Sequence, residues 1–215
     1  MTDQGPTVVI LAGGAPVPET FPAISPEPPF VVAADSGLYL AERYGLPVAV
    51  AVGDFDSVDG DTLHRFAGLG THIDRHPRAK DRTDLELALD HAIRLGAARA
   101  VVVAGGGGRL DHLLGNAHVL GSPAYSAMEI EAHFGSAHLH VVRRELELQG
   151  KPGEIVGLLA LHGPVRGITT DGLRYPLRRE SLLPGSTRGL SNEFIAPRAS
   201  VRVEEGTLLM VRPGS

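Results

Sequence analysis

Four short apolar runs in the first half of the chain constrain the fold more than any other feature. They cover residues 7–11, 30–34, 48–52 and 100–104, and each leads into a loop that contains Gly or Asp. Continuous apolar runs of this length are typical of strands that are buried on both faces, as in a parallel sheet covered by helices. The runs therefore predict a parallel α/β architecture.

Helix-like segments fit between and after these runs, over residues 38–44, 84–95 and 110–120. The second of them begins with a T-x-x-E capping box formed by Thr83 and Glu86. Because crossovers between parallel strands are right-handed, alternating strands and helices place every strand-to-helix loop at one edge of the sheet.

The pattern changes after Pro123. Residues 128–211 contain short strand-like runs interrupted by Gly and Pro, with no convincing amphipathic helix, and this favours a small antiparallel β-sandwich. We therefore predict an α/β plus all-β fold. A Rossmann-like α/β domain would span residues 1–124, and a β-sandwich would span residues 125–215.

Composition excludes several classes of function. The net charge of -5 and the absence of a basic run argue against a nucleic-acid-binding protein. With no Cys, the chain has no disulfide, no thiolate metal site and no cysteine nucleophile. No apolar run approaches the roughly 20 residues of a membrane span. The N-terminus also lacks the features of a signal peptide, so we expect a soluble, cytoplasmic protein without a membrane partner.

Carboxylates are concentrated in the predicted loops at the carboxyl edge of the sheet. They belong to Asp35, Asp54, Asp56, Asp81, Asp84 and Asp111. Converging carboxylates repel one another unless a cation neutralises them. Taken singly, the segment GDFDS at residues 53–57 is equally well explained as a turn, and Thr83 as a helix cap.

A run of four glycines, residues 105–108, separates the last apolar run from the next helix. Such a loop lets backbone N–H groups approach an anion, and the helix N-terminus adds its dipole. It is not a Walker P-loop. Together with Arg109 and the carboxylates, it favours a nucleotide that carries Mg²⁺, because carboxylate oxygens hold the ion while it bridges the phosphates.

Six segments occur in an order and spacing that resemble the thiamine pyrophosphokinase family. They are ADSG at 34–37, GDFDS at 53–57, DRTD at 81–84, GGRLDH at 107–112, DGLRYPL at 171–177 and LSNEF at 190–194. The resemblance implies a homodimer with active sites between subunits. It also implies transfer of the β,γ-pyrophosphoryl group of ATP to the hydroxyethyl oxygen of thiamine, with release of AMP.

The resemblance also implies site residues. Magnesium ligands and candidates for the catalytic base are Asp54, Asp56, Asp81 and Asp84. Residues of the ATP site are Asp35, Ser36, Lys80, Thr83, Gly107, Gly108, Arg109, Asp111 and His112. Residues of the thiamine site are Ser191, Asn192 and Tyr175. Some members carry Gln at the position of Lys80 and Trp at that of Tyr175, so Lys80 contacts phosphate or is a surface charge.

Other functions fit parts of the pattern. A pyrophosphokinase for another alcohol, such as a hydroxymethylpterin, would share the nucleotide domain, although the Ser191–Asn192 segment favours thiamine. A metal-dependent phosphohydrolase also suits an Asp-rich edge. A non-catalytic nucleotide sensor has no need for so many carboxylates.

Overall fold

A computed structural model of the protein describes residues 5–24, 29–107 and 109–214, and these form two compact units. The first unit extends to Asn116 and resumes over Ala127–Gly135. The second comprises Ala117–Ser126 and continues from Ser136. No helix among these residues is both long enough and apolar enough to cross a membrane.

Within the described residues, the sheet of the first unit has six strands, and all neighbouring strands are parallel. They are β1 (Thr7–Ala12), β2 (Phe30–Ala34), β3 (Val50–Gly53), β4 (His72–Arg75), β5 (Arg99–Ala104) and β6 (Glu129–Phe134). Their order is β4-β3-β2-β1-β5-β6. The chain builds outward from β1 to β4 and then returns to the other side of β1, so the order switches between β1 and β5.

The helices follow the predicted pattern with one addition. They are α1 (Gly37–Tyr44), α2 (Gly60–Gly68), α3 (Asp84–Arg94) and α4 (Leu110–Leu120), followed by a 3-10 turn at Pro123–Tyr125. The sequence analysis predicted neither α2 nor β4. Both carry a weak apolar signal, because α2 buries only Thr62 and Phe66, and the edge strand β4 has no fully buried residue.

The apolar runs form the core of the first unit, as predicted. Val8 to Leu11 in β1 and Ala100 to Val103 in β5 are completely buried, as is typical of central strands in a parallel sheet. Helices α1 and α3 both pack against β1 and β2. Helix α1 ends at Tyr44 and is capped by Gly45, which adopts the left-handed conformation that glycine tolerates best.

The sequence analysis placed the strand at residues 129–134 in the β-rich half, and that placement was wrong. β6 pairs in parallel with β5, from Arg99 opposite Glu129 to Ala104 opposite Phe134. Its side chains alternate between buried and less buried positions. This alternation is typical of antiparallel strands with one covered face, which is why the sequence pattern favoured the other half.

The second unit is antiparallel and β-rich, as predicted. Its strands are β7 (Ala137–Val142), β8 (Glu145–Gln149), β9 (Ile155–Asp171), β10 (Arg178–Leu182), β11 (Asn192–Glu193), β12 (Arg198–Arg202) and β13 (Glu205–Arg212). The main path is β7-β13-β9-β12-β8, and β10 and β11 both pair with β9. Buried side chains from these strands, including Leu158, Ile168 and Met210, form one apolar core.

The long strand β9 changes partners along its length. Its first part pairs with β13, over residues 157–161. Beyond His162 and Gly163, both of which have positive φ angles, it pairs with β10 and β12, and its Arg166 still lies opposite Glu205 of β13. The single strand β9 therefore connects β13 with β10 and β12.

Candidate active site

Carboxylates converge at the carboxyl edge of the first unit. Asp35 follows β2, Asp54 and Asp56 follow β3, and Asp84 begins α3. Carboxylate oxygens of Asp35, Asp54 and Asp56 lie within 4.8 Å of one another. Burial raises the pKa of Asp84, and Asp35 and Asp54 lie close enough that their charges add to this effect. We call these four side chains the acidic centre.

Unusual backbone conformations build this centre. Asp35 and Phe55 have φ angles of 46° and 60°, a region that is strained for residues other than glycine and is frequent at functional sites. The turn after β3 is held by the Asp56 N–H, which donates to Asp54 Oδ1 at 3.0 Å. A Cβ on Gly53 would lie 3.2 Å from that of Asp35, so glycine allows the two loops to approach.

Phe55 and Arg75 hold the turn after β3 in place. The Phe55 side chain is buried, and the Arg75 guanidinium lies 5.1 Å from the centre of its ring. Arg75 also donates to the Asp54 backbone carbonyl at 2.9 Å. The sequence analysis missed Arg75, because it ends the unpredicted strand β4.

Lys80 lies among the carboxylates. Its Nζ is 3.2 Å from Asp54 Oδ2 and 3.1 Å from Asp84 Oδ1, and only 14% of its side chain is exposed. The sequence left two roles for Lys80, a contact with phosphate or a charge on the surface. The low exposure of the side chain argues against a surface charge.

The environment changes the pKa values of these groups in different directions. The pKa of Asp54 is lowered, mainly by the hydrogen bond from the Asp56 N–H and further by Lys80, although burial opposes this. Burial raises the pKa of Asp84 despite the contact with Lys80. Burial alone would lower the pKa of Lys80, but its contacts with the carboxylates of Asp84 and Asp54 outweigh this and raise it.

The donor set fits a hard divalent cation. Asp35 Oδ2 accepts a hydrogen bond from Ser57, whereas Asp35 Oδ1 is buried and has no hydrogen-bond partner among the described residues. A buried carboxylate oxygen without a partner is costly unless a ligand satisfies it. Clustered carboxylate oxygens are the ligands that Mg²⁺ prefers.

Other predicted residues near this edge have local roles. The Thr83 hydroxyl accepts from the Glu86 N–H, and Glu86 accepts from the Thr83 N–H, so the predicted capping box is confirmed. Ser36 is the N-cap residue of α1 but makes no side-chain capping bond. Asp81 is exposed, in contrast to the half-buried Asp84.

The Gly-rich loop is packed against neighbouring backbone. The Gly105 N–H donates to the Gly13 carbonyl at 3.2 Å, and the Gly106 N–H donates to the Pro16 carbonyl at 2.8 Å. A Cβ on Gly105 would lie 2.1 Å from the backbone carbonyl carbon of Gly14, in the loop after β1. A Cβ on Gly107 would lie 2.8 Å from the carbonyl oxygen of Ala15 in the same loop. Close packing therefore explains these glycines, and the N–H groups of Gly105 and Gly106 already have partners.

Three of the remaining predicted residues of this segment, Arg109, Asp111 and His112, are exposed on the surface. Gly108 lies outside the residues that the structure describes. The Arg109 guanidinium pairs with Asp111 at 2.6 Å, and about two thirds of each side chain is exposed. His112 is exposed in the first turn of α4.

The three predicted thiamine residues belong to the second unit, where Asn192 and Tyr175 are joined. Asn192 Oδ1 accepts from the Tyr175 N–H and Asn192 Nδ2 donates to the Tyr175 carbonyl, both at 2.9 Å. Asn192 is buried, whereas the Tyr175 side chain is 52% exposed. The exposed Ser191 has a φ angle of 54°, another strained position.

Comparison with known proteins identifies the family. Residues 22–132 match the thiamin pyrophosphokinase catalytic domain, and residues 139–208 match the vitamin B1 binding domain of the same family. The chain belongs to the thiamin pyrophosphokinase family. The acidic centre lies within the segment that matches the family's catalytic domain, and Tyr175, Ser191 and Asn192 lie within the segment that matches its vitamin B1 binding domain.

Whole-chain similarities agree with this membership. Thiamine pyrophosphokinase from Bacillus subtilis is 27% identical over 210 residues, which are 96% of this chain and 98% of that protein. A crystal structure of thiamine pyrophosphokinase from Bacillus subtilis matches with a TM-score of 0.81 at 28% identity, covering 97% of this chain and 99% of that one. A thiamin pyrophosphokinase family protein from Enterococcus faecalis matches with a TM-score of 0.80 at 26% identity, with the same coverage.

Proposed function

We propose that this protein transfers the β,γ-pyrophosphoryl group of ATP to the hydroxyethyl oxygen of thiamine, giving thiamine pyrophosphate and AMP. The observation that carries the proposal is the convergence of Asp35, Asp54, Asp56 and Asp84 around Lys80, within the segment that matches a thiamin pyrophosphokinase catalytic domain. The match of the second segment to a vitamin B1 binding domain supports thiamine as the acceptor rather than a pterin.

ATP would bind along the carboxyl edge of the first unit, which we interpret as a Rossmann-like domain. Ligands of open α/β sheets bind outside the carboxyl ends of the strands, near a switch in strand order. Here the order switches between β1 and β5, and the loop after β5 leads to Arg109. The exposed Arg109 guanidinium would exchange its contact with Asp111 for a phosphate oxygen.

In the transfer, the thiamine hydroxyl oxygen forms a bond to the β-phosphorus of ATP. The bond from that phosphorus to the oxygen shared with the α-phosphate breaks, and AMP leaves with its electron pair. A carboxylate takes the hydroxyl proton, and Asp54, Asp56, Asp81 and Asp84 remain candidates. Positioning and electrostatics supply most of the acceleration in such reactions.

Magnesium would be held by Asp54, Asp56 and Asp84 of the acidic centre, together with Asp81. Asp35 Oδ1, which has no hydrogen-bond partner in the described part of the chain, supports an additional contact to a cation or to its water. When bound, the metal supplies charge neutralisation for the phosphates.

The thiamine ring would stack on Tyr175. Its side chain is half exposed while Asn192 holds its backbone, so the ring is presented on an anchored segment. Asn192 would then position Tyr175 rather than contact thiamine with its already paired Oδ1.

We also propose a homodimer, with active sites between subunits. Helix α4 supports this: Leu110 and Leu114 are 65% and 55% exposed, and only Leu120 of the helix is buried. An exposed apolar helix face is typical of an interface. A fully active, strictly monomeric species in light scattering would contradict the proposal. The cytoplasmic location and the absence of a nucleic-acid partner stay predictions.

The test is incubation with ATP, Mg²⁺ and thiamine, followed by product analysis. AMP and thiamine pyrophosphate in equal amounts are expected. Release of inorganic phosphate without a pyrophosphorylated acceptor would indicate a phosphohydrolase. Turnover with a hydroxymethylpterin but not with thiamine would indicate the other pyrophosphokinase.

A further inference from the structure

The Lys80 ammonium is surrounded by protein oxygens. Besides Asp54 Oδ2 at 3.2 Å and Asp84 Oδ1 at 3.1 Å, the Pro77 carbonyl lies at 3.4 Å. The ammonium donates hydrogen bonds to Asp54 Oδ2 and to the Pro77 carbonyl, and Asp84 Oδ1 lies within ion-pair distance, so three protein oxygens lie around it. The exposed fractions of the Lys80 and Asp54 side chains are 14% and 15%, so solvent screens this charge pair only weakly.

Two of the oxygens that face Lys80 belong to Asp54 and Asp84, which are proposed to hold the metal. Asp54 Oδ2 cannot bind a divalent cation closely while the ammonium occupies the same side of the carboxylate, because the two cations would repel each other. Lys80 and the metal therefore compete for Asp54 and Asp84.

We propose that Lys80 is a built-in counter-ion that occupies the acidic centre in the free protein and lowers its affinity for divalent cations. This inference rests on the proposed function, since it takes Asp54 and Asp84 as metal ligands. It gives Lys80 a role in the free protein, in addition to any contact with ATP. Lys80 neutralises part of the negative charge of the centre until the metal arrives, and it must leave its place when the metal binds.

The chain offers a matched control in Arg78. Its Nε lies 3.2 Å from Asp56 Oδ2, the same separation as between Lys80 and Asp54, but 83% of the Arg78 side chain is exposed. Exposed ion pairs contribute little because water and salt screen them. Removing either residue removes one positive charge beside the acidic centre, but only Lys80 is enclosed by it.

The experiment measures Mn²⁺ binding to the full chain without nucleotide, by electron paramagnetic resonance. Lys80→Met should tighten Mn²⁺ binding at least about tenfold, which corresponds to only about 1.4 kcal/mol. Lys80→Arg, which keeps the charge, and Arg78→Met should stay within about threefold of the parent. Circular dichroism checks that each variant is folded, and Lys80→Gln replaces Lys80→Met if that variant is not.

Two outcomes separate this inference from the proposed function. If Lys80→Met binds Mn²⁺ no more tightly than the parent, while Asp54→Asn abolishes binding, the metal site stands and the role of Lys80 is overturned. If Lys80→Met and the double variant with Asp54→Asn bind Mn²⁺ equally well, the acidic centre is not the metal site. Tighter Mn²⁺ binding by Lys80→Met that is lost in the double variant would support both the metal site and the role of Lys80.

Discussion

The side-chain amide of Asn192 pairs with the backbone of Tyr175 in both directions, with two hydrogen bonds of 2.9 Å. The same Oδ1 also accepts from the Glu193 N–H at 3.0 Å. Asn192 is 2% exposed, so its amide exchanges little with water. A side chain that sequence motifs assigned to thiamine thus joins two segments of the second unit.

Asn192→Ala is expected to lower stability as well as thiamine affinity. It removes three hydrogen bonds and leaves the Tyr175 N–H and carbonyl without their partner, so the loss should be about 2 kcal/mol or more. Thermal denaturation and calorimetric titration with thiamine measure the two effects. The neighbouring exposed Ser191→Ala is the control for stability. A variant that melts with the parent would contradict the anchoring role.

Asp54→Asn and Asp56→Asn are each expected to reduce turnover on the order of 10²-fold or more while leaving the protein folded. The amide keeps the shape of the carboxylate but loses the charge that would hold magnesium. The measurement is kcat at limiting Mg²⁺. Asp61→Asn is the control, since Asp61 is an exposed residue in the first turn of α2. Near-normal turnover of either variant would refute that residue as a ligand.

Arg109→Ala is expected to raise the KM for ATP, with little change in the KM for thiamine or in stability. The side chain is 70% exposed and pairs with Asp111 on the surface, so the fold loses little without it. A lost charge-assisted contact to phosphate costs about 1.5–3 kcal/mol. Steady-state kinetics with each substrate varied in turn measure this, with the exposed Arg94→Ala as control. An unchanged KM for ATP would remove Arg109 from the nucleotide site.

Gly105→Ala is expected to destabilise the first unit by about 1–3 kcal/mol or more, because the new Cβ would lie 2.1 Å from backbone of Gly14. Gly115→Ala is the matched control: a Cβ there meets nothing within 4 Å, and α4 should gain up to about 1 kcal/mol. Chemical denaturation measures both. Equal stability of Gly105→Ala and the parent would show that the two loops do not need their close approach.

The ion pair between Glu154 and Arg212 is expected to make stability depend on pH. Burial opposes ionisation of Glu154, but hydrogen bonds from Arg212 and the Lys151 N–H outweigh it and lower the Glu154 pKa below its ordinary 4.5. A carboxyl group with a lowered pKa stabilises the folded state above its unfolded pKa, and this contribution is lost as the pH falls through the folded pKa. Glu154→Gln should therefore be less stable than the parent at pH 7.

Denaturation across a pH series checks this linkage. The difference between Glu154→Gln and the parent should shrink as the pH falls below about 4.5, and Arg212→Met should show the same trend. A difference that is constant between pH 7 and pH 3 would mean that the charge of Glu154 does not stabilise the fold.

Much of the first unit could be predicted because its signals are local. Helix α4 has the predicted bounds, and the Thr83–Glu86 capping box is present, since a cap depends on residues three positions apart. The strand β6 was misassigned, because the alternation of its side chains does not reveal whether its neighbour runs parallel or antiparallel. β4 was missed because an edge strand without fully buried residues has little apolar signal.

The sequence by itself determined the class of the fold, the family and the loops in which the carboxylates stand, because these depend on the order of residues along the chain. Only the tertiary structure decided which carboxylates meet. Asp84 joins Asp35 and Asp54 around a partly buried Lys80, whereas the neighbouring Asp81 is exposed. The reason is that charge, burial and hydrogen bonding depend on distances between separate segments, which spacing along the chain does not specify.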